Sequence, residues 1–524
     1  MTEKKFSQIL HQFSIPTVLD IKGFPFVKEK KTLIPYVFAK QKGVLPIEEK
    51  RHSILVATSN PFHLEAIEEL TLLLNKEIEI TYCPKAALEE AIEFCYRQKD
   101  EETKKLLSDL QSKSKNKEGE EETEGYDLLE RSIKNPVIQM LDSVFLEAIQ
   151  QGSSDIHFEP QESALHIRYR IDGILLERHI PPKEYQAQMI TRIKVMAKLD
   201  IAEQRLPQDG RIKLKMGGRE IDFRVSTIPV VYGERIAIRI LDRSNIMVGL
   251  QHIGMESKIL NSFSHLIDLP EGIVLVTGPT GSGKTTTLYS AISEIFSSEI
   301  NIMTIEDPVE YKLPHIAQIG VNPKIHLDFA TGLRHILRQD PDVIMIGEIR
   351  DAETAEIAIQ AALTGHLVLS TLHTNDAPSA LARLTDMGIE PYLLSSSIVG
   401  VLAQRLVRKI CPTCREAYSP LSEELKFLHL SEKDLIDGKL YRGKGCPFCL
   451  GTGYKGRHGI YELMDISSLI KKQIMKSVDA DEIRQVALSE GMVDLYTSGK
   501  ALVLQGITTI AEVLRVTKSL LRGE

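Results

Sequence analysis

Gly278-Pro279-Thr280-Gly281-Ser282-Gly283-Lys284-Thr285 fits G-x-x-x-x-G-K-[ST], a loop built to hold the phosphates of a nucleoside triphosphate. The apolar run 273–277 before it reads as a buried strand. The stretch from Thr286 to Ile295 after it reads as a helix. Glycines let backbone N–H groups turn inward around phosphate oxygens, and the helix N-terminus adds partial positive charge. Lys284 is placed to bridge the β- and γ-phosphates, and Thr285 to hold Mg²⁺ through its hydroxyl. ATP and Mg²⁺ are therefore the expected ligands of this loop.

The rest of the chain sets bounds. Its 524 residues suggest about three to four domains. A net charge of −8 argues against a general nucleic-acid binder, and no basic–aromatic stripe suggests a DNA-translocating motor. No apolar run approaches the roughly 20 residues that span a bilayer, and the N-terminus lacks a signal-peptide core. A cytoplasmic location is expected, with the membrane reached only through partners. Six cysteines are too few for a disulfide scaffold of this size.

Residues 1–96 read as a small α/β module. Strands are expected at Val37–Ala39, Gly43–Pro46, Ser53–Thr58 and Glu77–Tyr82, with helices at Pro61–Leu74 and Pro84–Tyr96. Cys83 and Cys95 are expected as buried thiols. Residues 97–134 hold mixed charges with little to bury and read as a linker. Residues 135–245 read as an Arg-rich α+β domain, opened by an amphipathic helix over Val137–Gln150. Strands follow at Ala164–Tyr169, Arg211–Met216, Glu220–Ser226 and Arg235–Ile240. Residues 246–524 carry the phosphate loop on a mainly parallel sheet covered on both faces, with a helical tail from Ser467 to Leu521.

Two acidic motifs follow the phosphate loop. Asp342-Val343-Ile344-Met345-Ile346-Gly347-Glu348 is an apolar strand that delivers a carboxylate to the metal and the attacking water, with Gly347 where an Asp usually stands. Thr304-Ile305-Glu306-Asp307-Pro308-Val309-Glu310 gathers acids at the end of another strand, where one can act as base on water. Cys411-Pro412-Thr413-Cys414 and Cys446-Pro447-Phe448-Cys449 form paired C-x-x-C knuckles within an insertion over 411–449. Four thiolates suit a closed tetrahedral Zn²⁺ site, and a redox dithiol is the competing reading.

The chain resembles the secretion ATPases of type II secretion and type IV pilus assembly. Leu337–Asp351 is similar to that family's signature, Glu306–Glu310 to its Asp box, and Thr364-Gly365-His366 through Ser370–Asp376 to its His box. The resemblance runs nearly continuously over residues 135–460. It implies an α/β fold with a RecA-like P-loop ATPase core, a preceding α+β domain, an N-terminal α/β module and a zinc-binding insertion. It implies that Glu310 polarises the attacking water, with Glu306 the alternative. Glu348 would serve the metal, and His373 or His366 would sense the γ-phosphate. Arg211 and Arg224 would neutralise charge at the γ-phosphate. The family works as a homo-hexamer. Its partners are an L-type membrane-anchored component, met through the first module, and an F-type polytopic protein of the inner-membrane platform.

Residues 388–408 and the compact first module look more like the type II secretion branch. A type IV pilus extension ATPase is the alternative. A non-hydrolysing nucleotide-sensing scaffold is a third reading, opposed by the intact Lys284, Thr285, Glu310 and Glu348.

Overall fold

The computed structural model describes most of residues 15–96, then 136–517 apart from 217–218, 243–248 and 428–429. The stretch 97–134, expected as a linker, lies outside the described residues. The chain divides into two units, Met1–Arg243 and Ser244–Glu524.

In the first unit, β1 (Val44–Glu49), β2 (Ser53–Thr58) and β3 (Glu77–Tyr82) form a three-stranded sheet in that order. β1 and β2 are antiparallel, whereas β2 and β3 are parallel. Helix α1 (Lys85–Tyr96) contributes Leu88, Ala91 and Ile92 to a core shared with Val44, Leu45, Ile54 and Val56. Cys83 and Cys95 are buried in that core, as expected. Phe38 and Ala39, expected in a strand, are helical instead. A run this short carries no period, so contact with the core decides its conformation.

The next segment is an antiparallel sheet of β4 (Ser153–Pro160), β5 (Leu165–Ile171), β6 (Ile174–His179), β7 (Gln208–Met216), β8 (Arg219–Val230) and β9 (Gly233–Asp242). Its spatial order is β6-β5-β4-β9-β8-β7. The strands alternate buried with exposed or half-buried residues, as a sheet with one covered face requires. Helices α2 (Pro136–Gln150) and α3 (Gln186–Met196) belong to this segment, and the ring of Phe145 in α2 lies 5.4 Å from that of Phe223 in β8, tilted by 48°. Sequence periodicity missed β4, β6 and α3, whose apolar residues are interleaved with charges.

The second unit is built on a seven-stranded sheet. Its members are β10 (Gly272–Thr277), β11 (Ile302–Glu306), β12 (Ala317–Gly320), β13 (Val343–Ile346), β14 (Leu367–Leu372), β15 (Ile398–Ile410) and, beyond the insertion strands β16 (Arg415–Tyr418) and β17 (Leu440–Gly443), β18 (Tyr454–Asp465). The order is β12-β11-β13-β14-β10-β15-β18. All pairs are parallel except β15 with β18. All six residues of β10 are buried. Val274 and Val276 pack beneath α4 (Ser257–Ile267) and α5 (Lys284–Ile295). Ile273 and Leu275 face α6 (Phe329–Ile336), α7 (Ala352–Leu363) and α8 (Ala377–Asp386). That two-sided burial is why the strand reads as one apolar run.

Among the described residues the helical tail comprises α9 (Ser468–Lys476), α10 (Ala480–Ser489), α11 (Leu495–Leu504) and α12 (Ile510–Thr517). Ser467, Asp479 and Asp494 each accept a backbone N–H from the first turn of the helix that follows. Such caps satisfy donors that a helix start leaves open, and so fix where each helix begins.

Candidate active site

The phosphate loop joins β10 to α5 at the carboxyl edge of the sheet, where open α/β sheets bind ligands. Gly278 (φ 150°) and Gly283 (φ 93°) occupy the region that favours glycine. A Cβ on Gly278 would come within 2.5 Å of the Gln404 carbonyl oxygen. Thr280, Gly281 and Thr285 are exposed along with Pro279, whereas Ser282 is buried. Lys284 is only 8% exposed, and its Nζ donates to the carbonyls of Gly278 (2.7 Å) and Pro279 (3.3 Å). Burial, helped by nearby Arg405, pushes its ammonium down to about 8.

Glu348 follows β13, two strands away from β10. Its Oε1 accepts from Arg350 at 2.5 Å, and its Oε2 lies 3.3 Å from His373 Nε2. Burial opposes its charge, but Arg350 and His373 hold the carboxyl below the usual range. Burial and nearby Lys284 push the His373 imidazole down. Gly347 has a steric cause. A Cβ there would press within 3.3 Å of the Glu306 Cα and the Ile305 carbonyl oxygen. A side chain at that position would require β11 to give by a few tenths of an ångström.

The two Asp-box acids differ sharply. Glu306 ends β11, 3% exposed, and accepts from Thr304 Oγ1 at 2.6 Å, Gln318 Nε2 at 3.0 Å and the Tyr289 hydroxyl. Glu310 lies four residues past the strand and is half-buried. The histidines also separate. His373 stands beside Glu348, past the carboxyl end of β14. His366 precedes that strand, about 20 Å away along it, where its Nδ1 lies 2.8 Å from the Ala361 carbonyl.

The four cysteines converge. Their sulfurs all lie within 4.8 Å of one another. Separations are 3.8 Å for Cys411–Cys446, 3.8 Å for Cys414–Cys449 and 3.7 Å for Cys446–Cys449. A tetrahedral ion with metal–sulfur bonds of about 2.3 Å sets its ligands about 3.8 Å apart. Backbone N–H groups of Cys446 and Gly453 donate to Cys449 Sγ, both at 3.2 Å, which favours a thiolate. By its donor set and spacing the cluster could hold a metal ion.

Comparison with known proteins agrees with this geometry. The family model described as type II/IV secretion system protein matches residues 130–515, and the MshEN domain model matches residues 13–102. The type II secretion system ATPase E of Vibrio cholerae is 44% identical over 94% of this chain and 98% of its own length. The type IV pilus assembly ATPase PilB of Myxococcus xanthus is 42% identical over 98% of this chain and 91% of its own. The chain belongs to the type II/IV secretion system protein family. The solved structure of the Legionella pneumophila ATPase DotB shares the fold, with a TM-score of 0.55 at 21% identity over 76% of this chain and 99% of that one. The RecA-like core expected from the sequence is present, and this member of the secretion family is an ATPase.

In this secretion ATPase, Arg211 and Arg224 are direct cross-strand partners on β7 and β8, and Arg224 is in turn opposite Arg239 on β9. The row continues through Asp155 of β4, which bonds Arg239 at 3.1 Å and lies 3.7 Å from Arg170. Like charges directly opposite repel, and Asp155 offsets that repulsion at Arg239. Arg235, by contrast, bonds Glu159 at 2.7 Å.

Sequence reasoning also missed Gln404. It is 2% exposed on β15, donates from Nε2 to the Ser282 carbonyl at 2.6 Å, and accepts from Thr287 Oγ1 at 2.8 Å. This amide ties the later part of the phosphate loop and the first turn of α5 to the neighbouring strand. The available signal was a polar Gln404-Arg405 pair within the apolar stretch 398–407 of the strand.

Proposed function

We propose that this secretion ATPase is the cytoplasmic motor of a type II secretion system, hydrolysing ATP to drive pseudopilus assembly and protein export. The observation that carries the reading is an intact phosphate loop, Glu348 and His373 in one site, in a chain matching a type II secretion system ATPase E over 94% of its length. The 42% identity to a pilus assembly ATPase keeps pilus extension as the second reading. No helix among the described residues is long and apolar enough to cross a membrane. Membrane attachment would come through the L-type partner at the first module and the F-type polytopic protein, with the chain acting as a homo-hexamer.

In the proposed chemistry, Lys284 neutralises the β- and γ-phosphates. Thr285 and the ionised Glu348 are the donors that would hold Mg²⁺, an ion that screens charge on the transferring group. His373 reports the γ-phosphate to Glu348. Glu310 orients and polarises the attacking water. Glu306 is better suited to shaping the Asp box, because three donors already occupy its carboxylate. Arg211 and Arg224 supply compensating charge as the γ-phosphoryl departs. Zn²⁺ in the cysteine cluster would be structural, since four protein ligands leave no open position.

The testing experiment is ATP turnover of the full chain with and without the partner's cytoplasmic domain. Glu310→Gln should lower kcat by about 10²–10⁴-fold with ATP still bound; turnover equal to wild type would remove Glu310 from the mechanism. Arg224→Ala should lower kcat by about 10³-fold or more, in the range of an arginine finger. Equilibrium binding of a fluorescent nucleotide should stay unchanged. Undiminished turnover would leave Arg224 a purely structural place in its row.

A further inference from the structure

Behind the nucleotide site lie four charged side chains that phosphate binding does not account for. Arg405 on β15 is 5% exposed, Asp376 at the head of α8 is 3% exposed, and Glu462 on β18 is fully buried. Arg484 on α10 is mostly buried at the side chain. Charges are costly to bury unless each is held by specific partners.

Their bonds converge on one short segment, the turn 373–376 between β14 and α8. Arg405 Nη2 donates to both the carbonyl (2.9 Å) and the side-chain oxygen (3.0 Å) of Asn375. Asp376 caps α8 by accepting from Ser379 N, and its other oxygen pairs with Arg484 at 2.9 Å. Glu462 accepts the next backbone N–H, that of Ala377, at 2.7 Å. Its second oxygen accepts from Leu495 N, at the start of α11, at 3.3 Å. On the opposite side, Thr374 N donates to Thr277 Oγ1 at 3.0 Å, and Thr277 immediately precedes the phosphate loop. The turn is thus tied to the end of β10, to β15, to β18 and to α10. Its first residue is His373, whose Nε2 lies 3.3 Å from Glu348. Burial, with the neighbouring Asp376 charge, pushes the Glu462 carboxyl up to about 7.

We propose that these side chains form a positioning relay, in which Arg484 acting through Asp376, and Arg405 acting through Asn375, hold the turn so that His373 stands beside Glu348. The relay rests on the hydrolytic reading of the site and extends it. Helix α10 of the C-terminal tail then sets the geometry of hydrolysis without touching nucleotide. A partner pulling on the tail helices would alter kcat through the same bonds. A network joining two elements in one discrete arrangement is the physical form that such coupling requires.

The test uses the full chain. Arg484→Gln should lower kcat between about three- and thirty-fold, leave KM for ATP within about twofold, and speed amide exchange in residues 373–377. Arg484→Lys should recover most of the loss. Arg405→Lys keeps the charge but loses the fork on Asn375, and should also lower kcat at unchanged KM. This second variant serves if Arg484→Gln does not fold. Unchanged kcat in both, or equal damage to kcat and KM with no rescue by lysine, overturns the relay and leaves a packing role. If wild-type turnover does not depend on Lys284, the hydrolytic reading falls and the relay with it. If turnover does depend on Lys284 while the relay variants keep full kcat, only the relay falls.

Discussion

Lys284→Ala is expected to abolish ATP turnover and to leave the fold intact. Lys284 is held at the mouth of α5, nearly buried, with its ammonium on the Gly278 and Pro279 carbonyls. Burial has already brought that ammonium down to about 8, so it sits close to its switching point at neutral pH. A triphosphate in the loop favours the charged form and draws its proton back. Nucleotide binding near pH 8.5 is therefore expected to take up protons in wild type and not in Lys284→Ala. Loss of this cation removes charge stabilisation that is worth at least about a hundredfold in kcat. The fold survives because the strand, the glycines and the Gln404 clamp do not depend on the Lys284 side chain. Phosphate release by the purified variant is the measurement; turnover at the wild-type rate would end the ATPase assignment of this loop.

Cys414→Ser has the larger effect on stability. A structural Zn²⁺ contributes an apparent ~10–16 kcal/mol to the fold it closes. The insertion around it has a two-stranded sheet, β16 with β17, and among its described residues few buried apolar ones besides Leu425, Leu430 and Leu440. A two-stranded hairpin is marginal without further support. Losing one thiolate is expected to release the metal and raise amide exchange through residues 411–449, with the seven-stranded sheet still protected. Metal analysis of the wild-type chain comes first, and absence of zinc there would defeat the proposal. The insertion hangs between β15 and β18, and β15 carries both Gln404 and Arg405. Chelation should therefore also weaken turnover, through the strand that clamps the phosphate loop.

The sequence determined what depends on residues close together along the chain. Strand, glycine loop and helix at 273–295 form a local unit, because each part needs only its neighbours to adopt its conformation. The two C-x-x-C knuckles are local in the same way, and their pairing followed from valence. What the sequence left open turns on contacts made across long stretches of chain. His366 and His373 were equivalent until the direction of β14 put one at the nucleotide edge and the other at the far edge. Glu310 was preferred to Glu306 on resemblance alone, and the bonds from Tyr289 and Gln318 to Glu306 come from residues 12 to 17 positions away. Arg211, Arg224 and Arg239 became a row only through the register of three antiparallel strands. Gln404 meets Ser282 from 122 residues away, a separation that no periodicity reports. Spacing fixes conformation over a few residues, whereas strand direction, register and burial decide which side chains meet, and those are set by the whole core packing at once.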